Sequence, residues 1–265
     1  LNEGGIFIEN KWLISAFNER YRKVVEPPGF TREETETVVR HISLTEEKSF
    51  ISYSNFNEDE TERIIDSEIE YFSKSGKTFE WKVYDFDQPP ELKSKLKNKG
   101  FMVEEPEALM ILPLKSRAAL TEGFVPKTNV TEIDDETGIG DLVRLENSIW
   151  KESHKQLGER LWRDKQTAPE SLYIYGIYEN NQLVSGSWIY FEPNTNFASL
   201  WGGSTLPEFR GRGFYSDLLR TRAIMAVDKG YSFLTVDASP MSRPILEKLG
   251  FHFLGFSFGC QSPSS

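Results

Sequence analysis

Residues 204–219 read STLPEFRGRGFYSDLL and set Arg210 and Arg212 in a frame with Gly211 and Gly213, directly ahead of an aliphatic helical pattern. The chain as a whole is acidic, with a formal charge of −10, so basic residues in this frame call for a reason. The start of a helix carries unpaired backbone N–H groups and the positive end of the helix dipole. An anion placed there is stabilised without help from side chains. Glycine at 211 and 213 removes the Cβ atoms that would hold a phosphate away from the amides. Arg210 and Arg212 add positive charge, and Pro207 stiffens the approach and ends the ladder of the preceding strand. The chemistry this combination permits is the cradling of a pyrophosphate. A flexible surface turn or an RG-type RNA-binding segment would share the same four residues. The single occurrence inside a strand–helix unit argues against RNA.

Few other residues offer chemistry. Glu152 and His154, in WKESHKQ, fall between two predicted helices, where either could act as a proton acceptor; each could equally be a solvated helix-cap residue. His41 and His252 lie in strand patterns and read as structural. No Cys/His cluster has metal-ligand spacing, so no metal is expected. The single cysteine, Cys260, excludes an internal disulfide framework and fits a reducing, cytoplasmic setting. The tail CQSPSS, residues 260–265, reads as disordered.

The elements that must position these residues follow from periodicity and punctuation. A helix is predicted over about 10–24, then a Pro/Gly break at EPPGFTREE. TVVRHIS and SFISYS read as an antiparallel pair. Asn57 with Glu60 forms a capping-box pattern ahead of a helix ending at Gly76. A strand TFEWKVYDF, a short helix PPELKSKLKNKG and strands in FMVEEPEALMILPL complete the first half. After a linker, NVTEI opens a second series: helices near 136–148 and 153–167, strands at 172–179, 182–192 and 197–205, the Gly-Arg loop, a helix near 213–229, a strand SFLTVDA, a short helix, and a final strand FHFLGFSF. The two halves echo each other at an offset of 150, with Pro90, Leu96, Gly100 and Phe101 matching Pro240, Leu246, Gly250 and Phe251. A tandem duplication of one α/β unit is the expectation.

Composition bounds what remains. At 265 residues, 38% hydrophobic and 13% aromatic, the chain can build one large domain or two ordinary ones. No apolar run reaches the roughly 18 residues of a membrane helix, and the first residues lack the layout of a signal peptide. Acidic balance argues against bulk binding to nucleic acid or anionic membrane.

TLPEFRGRGFYSDLL, followed by FLTVDAS, a short helix and LEKLGF, resembles the GNAT-type acyl-CoA N-acyltransferase superfamily over roughly 129–258. The resemblance implies two tandem GNAT-like α/β domains with mixed sheets: a degenerate one at 1–115 without a cofactor loop, a linker at 116–128, and an acyl-CoA-binding catalytic domain at 129–260. It implies acetyl-CoA as acyl donor and a primary amine, on a small molecule or peptide, as acceptor. The amides of Gly211, Arg212, Gly213, Phe214, Tyr215 and Ser216 would face the pyrophosphate, with Arg210 opening the motif. Gly203, Ser204 and Thr205 would pair with the pantetheine arm, and Gly202 and Gly203 would form a bulge whose N–H stabilises the oxyanion. Ser239 stands where the family often has an Asn near the pantetheine; it could equally cap the short helix. In the first half NFNEDETERII replaces the loop, and its acidic side chains would repel a pyrophosphate. Two departures stand out. Tyr215 occupies a position usually Gly or Ala, and Leu246 occupies that of a Tyr that protonates the departing thiolate. Acyl transfer in a ternary complex is therefore set beside a CoA-binding module without chemistry, transfer from a charged tRNA, and RG-type nucleic-acid binding.

Overall fold

The computed structural model describes residues 3–45, 47–114 and 127–263. The expected linker lies outside them except for Lys127 and Thr128. The chain divides into two compact units, Leu1–Ile111 with Val236–Ser265, and Leu112–Thr235.

The first unit begins with α1 (Glu3–Phe17), which buries Leu13, Ala16 and Phe17 and ends in a π turn, Asn18–Arg22. Its strands are β1 (Phe30–Glu34), β2 (Val38–Ser43), β3 (Ser49–Ser54), β4 (Phe79–Tyr84), β5 (Met102–Val103), β6 (Glu107–Pro113) and, from the far end of the sequence, β12 (His252–Gln261). β2 pairs antiparallel with β1 and β3, and β3 runs parallel to β4 across the helix α2 (Thr61–Lys74). β12 is antiparallel to both β4 and β6 and also pairs with β5. The short helices α3 (Leu92–Asn98) and α7 (Arg243–Lys248) complete this unit. Its core gathers Ile51, Ile64, Ile65, Phe72, Phe79, Trp81, Leu92, Leu96 and Phe101. The helical spacing of Ile64, Ile65 and Phe72 and the alternation of Phe79, Trp81 and Val83 point these side chains to a common interior.

Two sequence expectations are corrected here. FTREE, read as part of a break, is the strand β1: its half-exposed, charged residues give no alternation, but Phe30 pairs across to Ser43 and Glu34 to Val39. Cys260, read as the start of a disordered tail, is buried in β12 opposite Trp81 and Val103. The neighbouring Ser262 N–H donates to the Phe79 carbonyl. Burial pushes the Cys260 thiol up to about 12, which leaves no thiolate for nucleophilic work. His41 is a core residue: it bonds Ser52 Oγ at 2.9 Å, and burial lowers its pKa to about 3.

The second unit holds β7 (Thr131–Ile133), β8 (Leu172–Glu179), β9 (Gln182–Phe191), β10 (Phe197–Thr205) and the start of β11 (Phe233–Ala238). β7 to β10 form antiparallel neighbours, with Asn180 and Asn181 at positive φ turning β8 into β9. β10 runs parallel to β11, and α6 (Phe214–Asp228) makes the crossover. Helices α4 (Glu136–Trp150) and α5 (Lys155–Thr167) cover one face of this sheet: a Cβ on Gly186 would strike Leu142 and Leu145, and Tyr190 Oη donates to Asp164. α6 covers the other face, where Arg222 and Tyr215 meet the backbone of β10. The β3–α2–β4–α3 and β10–α6–β11–α7 series repeat one order of elements, as the offset in the sequence predicts.

A buried ion pair anchors the first unit. Arg22 bonds Asp87 in bidentate fashion at 2.6 and 2.8 Å, donates to the Ser52 carbonyl, and lies 4.3 Å from the Tyr84 ring centroid. Asp87→Ala strands the guanidinium without its partner, which costs about 3–5 kcal/mol. The expected outcome in urea unfolding is a lower midpoint, with part of the loss recovered in the apolar double variant Arg22→Met/Asp87→Leu.

Candidate functional site

The Gly-Arg loop lies between the end of β10 and the first turn of α6. A 3-10 turn, Pro207–Phe209, leads out of the strand. Gly211 and Gly213 then take φ of 76° and 92°, in the left-handed region where only glycine sits without strain. Gly213 is the N-cap of α6 and brings no side chain to close it, so the first-turn amides keep their outward role. Among the described residues no atom lies within 4 Å of the place a Gly211 Cβ would take, which leaves room there for a ligand.

Charge gathers around this opening. Arg212 stacks its guanidinium 4.7 Å from the Phe209 ring centroid, and Arg210 Nε donates to the Thr205 carbonyl at 3.0 Å. A third cation, Lys127, was not legible in the sequence because it fell in the expected linker. Its Cδ would stand 3.2 Å from a Gly213 Cβ. What holds it there is Asp217, buried in the first turns of α6, whose Oδ2 accepts from the Lys127 N–H at 2.9 Å and from Thr128 Oγ at 2.8 Å. Open amides, glycine geometry and three cations together fit a diphosphate.

β10 supplies the rest of the site. Its parallel ladder with β11 covers only Phe197–Ser199 among the described residues. Its antiparallel ladder with β9 shifts register between Gly202 and Ser204, with Trp201 opposite Trp188 and Ser204 opposite Gly186. The extra residue is a β-bulge. It places Trp201 and Ser204, three apart in sequence, on the same face, since their partners are two apart. Gly203 turns to the other face, where at φ 94° its Cβ would come within 2.7 Å of Tyr215. The Tyr215 ring thus fills space that glycine leaves. Arg222 braces the bulge from below: its Nη1 donates to the carbonyls of Trp188 at 3.0 Å and Trp201 at 3.2 Å. Buried without a carboxylate among its described partners, it has its pKa lowered by desolvation to about 10.

On the α4 and α5 face the structure brings in groups the sequence did not announce. Glu146 of α4 is 3% exposed and accepts from Ser204 Oγ at 3.0 Å and Trp150 Nε1 at 2.9 Å, both at Oε2. Its Oε1 is buried with no hydrogen-bond partner among the described residues. Burial raises its pKa, opposed by those two bonds and by the charge of His154. Glu192, at the end of β9, accepts from Ser199 Oγ at 2.5 Å, and Ser199 accepts from Trp201 Nε1 at 2.8 Å. That chain fixes the half-exposed Trp201 ring.

The expected residues sort clearly by place. Gly203, Ser204, Thr205, Arg210, Gly211, Arg212, Gly213, Phe214, Tyr215 and Ser216 lie together along β10, the loop and α6. Within that set Phe214 is buried, and Thr205 Oγ bonds Ser185 Oγ at 2.8 Å. Glu152 sits in the turn after α4 with its side chain 71% exposed, 3.6 Å from His154 Nε2. The His154 N–H donates to Asn147 Oδ1 at 2.7 Å. Ser239 belongs to the first unit, where its Oγ accepts from the Ser242 N–H at 3.2 Å ahead of α7. Leu246 is fully buried in α7. No group of three or more His, Cys, Asp or Glu among the described residues could hold a metal ion.

Residues 139–251 match the family model described as "Acetyltransferase (GNAT) family". This part of the chain is a GNAT acetyltransferase domain. Solved structures match the GNAT fold over the whole length. A GCN5-related N-acetyltransferase from Kribbella flavida is 11% identical, with 98% of this chain and 96% of that one covered at a TM-score of 0.63. A tandem GNAT protein from the clavulanic acid biosynthesis pathway is 12% identical, with 100% and 96% covered at 0.62. A functionally unknown conserved protein from Staphylococcus epidermidis is 12% identical, with 93% and 96% covered at 0.62. No curated protein matches the sequence. The chain therefore has the tandem GNAT fold.

Glu192 gives the GNAT domain a pH signature. Burial raises its pKa to about 7 from the ordinary 4.5. The folded state then keeps this proton to higher pH than the unfolded chain does. The contribution of Glu192 to stability is highest below about 4.5, falls as pH rises toward about 7, and stays lower beyond, by on the order of 3 kcal/mol. Glu192→Gln, neutral throughout, is expected to lose that slope. Denaturant midpoints of the two proteins at pH 5 and pH 8 measure it: the variant should gain on the wild type only at the higher pH.

Proposed function

We propose that the protein is an N-acetyltransferase that moves the acetyl group of acetyl-CoA to a primary amine. The observation that carries this reading is the loop at Gly211–Gly213. Its two left-handed glycines, its uncapped helix start and the cations of Lys127, Arg210 and Arg212 suit a diphosphate in an otherwise acidic chain. The amides of 211–216 would hold that group, and the edge of Gly203–Thr205 would take the pantetheine arm as an added strand. Bound acetyl-CoA would supply a thioester carbonyl carbon for attack. The bulge at Gly202–Ser204 turns backbone amides out of the ladder, where one can stabilise the charge that develops on the carbonyl oxygen. The protein's part is mainly positioning of donor and acceptor.

In this reading residues 129–260 are the catalytic repeat, although its last strand, β12, packs within the first unit, and residues 1–115 are a degenerate copy. The place in that copy that corresponds to the loop is a groove of about 540 Å³ lined by Glu36, Glu58 and Glu60 among others. Carboxylates there would repel a diphosphate, so the cofactor belongs to the second repeat alone. Glu152 and His154 remain candidate bases. The Glu152 side chain lies largely in solvent.

One observation favours a second reading. Leu246, fully buried, stands where the resemblance implies a proton-donating Tyr, and a protein that binds CoA without turning it over would have no use for that group. A cytoplasmic setting is proposed from the single, buried cysteine. No helix among the described residues is long and apolar enough to cross a membrane.

Thermal unfolding with and without acetyl-CoA tests the shared claim. Acetyl-CoA at about 100 times its Kd is expected to stabilise the fold by about 2.7 kcal/mol, read as a rise in Tm. Gly213→Asp places charge, bulk and strain in the cradle and should remove that rise. An unchanged wild-type Tm with any acyl-CoA overturns both readings. Release of free CoA thiol across a panel of amines then separates enzyme from binding module.

A further inference from the structure

The site described above leaves one group without a use. Glu146 is a buried carboxylate whose Oε2 holds two donors, Ser204 Oγ and Trp150 Nε1, while Oε1 has none among the described residues. A buried carboxylate oxygen without a donor is costly to keep. Its placement is specific. Ser204 is the residue that closes the β10 bulge, so this carboxylate is tied directly to the strand that the proposed donor would line. Trp150 lies one helical turn beyond Glu146 on α4, 58% exposed, and Trp201, 47% exposed, shares the β10 face of Ser204. Trp188, opposite Trp201, has a buried Nε1 that likewise has no described partner. A lone carboxylate among indoles is an environment for one cation on a flat apolar body.

We propose that Glu146 is the base that takes the proton of the acceptor ammonium, and that the indoles of Trp150 and Trp201 hold the acceptor, which is a monocationic amine carried on an aromatic or apolar body. This rests on the acetyltransferase reading and deepens it. The ammonium reaches the carboxylate by replacing the Trp150 indole N–H, one donor for another, so the half-exposed ring swings aside without leaving Oε2 unpaired. One proton passes from the ammonium to Glu146. The amine nitrogen bonds to the thioester carbon, the C–S bond breaks, and the second departing N–H proton goes to the sulfur through solvent. Glu146 then returns its proton to water. Burial raises the proton affinity of Glu146, which suits a base that must compete for an ammonium proton. The other described carboxylates on this face are already bonded, Glu192 to Ser199 and Asp164 to Tyr190, so the open oxygen of Glu146 offers a place for a single cation rather than for a polycation.

The test uses the full chain loaded with CoA, with 2-phenylethylamine, neutral 2-phenylethanol and spermidine as probes, and tryptophan fluorescence as the binding signal. The wild type is expected to bind 2-phenylethylamine at least about tenfold more tightly than either of the others. Glu146→Gln keeps the shape and should lose that preference. With acetyl-CoA, Glu146→Gln should lower kcat/KM about 10²-fold and flatten the acid limb of the pH profile, while the acetyl-CoA Tm rise stays as in the wild type. Trp150→Phe should bind the amine but lose most of the fluorescence change. Equal turnover and binding in Glu146→Gln, or tighter binding of spermidine than of 2-phenylethylamine, overturns the proposal. So does a wild type that responds to acetyl-CoA yet binds no amine, with the donor site left standing. A wild type that shows no Tm response to acetyl-CoA defeats the acetyltransferase reading itself.

Discussion

The bulge at Gly202–Ser204 is the constraint on which the second unit is organised. One additional residue in β10 changes which side chains face which helix, and each consequence is visible in a contact. Ser204 reaches Glu146 on one face, and Gly203 yields to Tyr215 on the other. Trp201 stays in line with Ser199 and Glu192. Arg222 makes the bulge durable by holding two carbonyls from below, so a cation rather than a strand satisfies that backbone. Without the bulge, the alternation of β10 would carry Ser204 away from α4.

The cradle shows the same economy. Asp217 is acidic and sits in the first turns of a helix that opens a proposed anion site. Its charge is turned inward, onto the Lys127 amide and the Thr128 hydroxyl. A negative side chain thereby recruits a positive one to the mouth of the loop. The first repeat has the opposite arrangement, with Glu58, Asp59 and Glu60 in the turn ahead of α2. Two copies of one topology thus carry opposite electrostatics at equivalent places, and the fold itself does not decide which ligand is welcome.

What the sequence made legible follows from the reach of each signal. Gly211, Gly213 and Pro207 speak through their own backbone preferences, so the loop and the start of α6 could be read locally. Asn180 and Asn181, which turn β8 into β9 at positive φ, carry a signal of the same local kind. Glu146 could not be found that way. Its partner Ser204 is 58 positions distant, and its helix pattern marks it only as one polar residue among several. Lys127 was hidden because its position depends on Asp217, 90 residues on. β1 was missed because an edge strand with mixed exposure carries no period, and Cys260 because polar neighbours masked a strand buried on both sides.

That burial of β12 has a bearing on how the protein is made. β12 occupies the middle of the first unit's sheet, with β4 on one side and β6 on the other. Residues 30–113, though synthesised early, lack the strand that joins their two parts until position 261 has left the ribosome. Until then β4 and β6 present open edges with apolar neighbours, the kind of surface that invites mispairing. Maturation of the N-terminal half is therefore deferred until β12 has been synthesised, and the first repeat cannot reach its finished form ahead of the second.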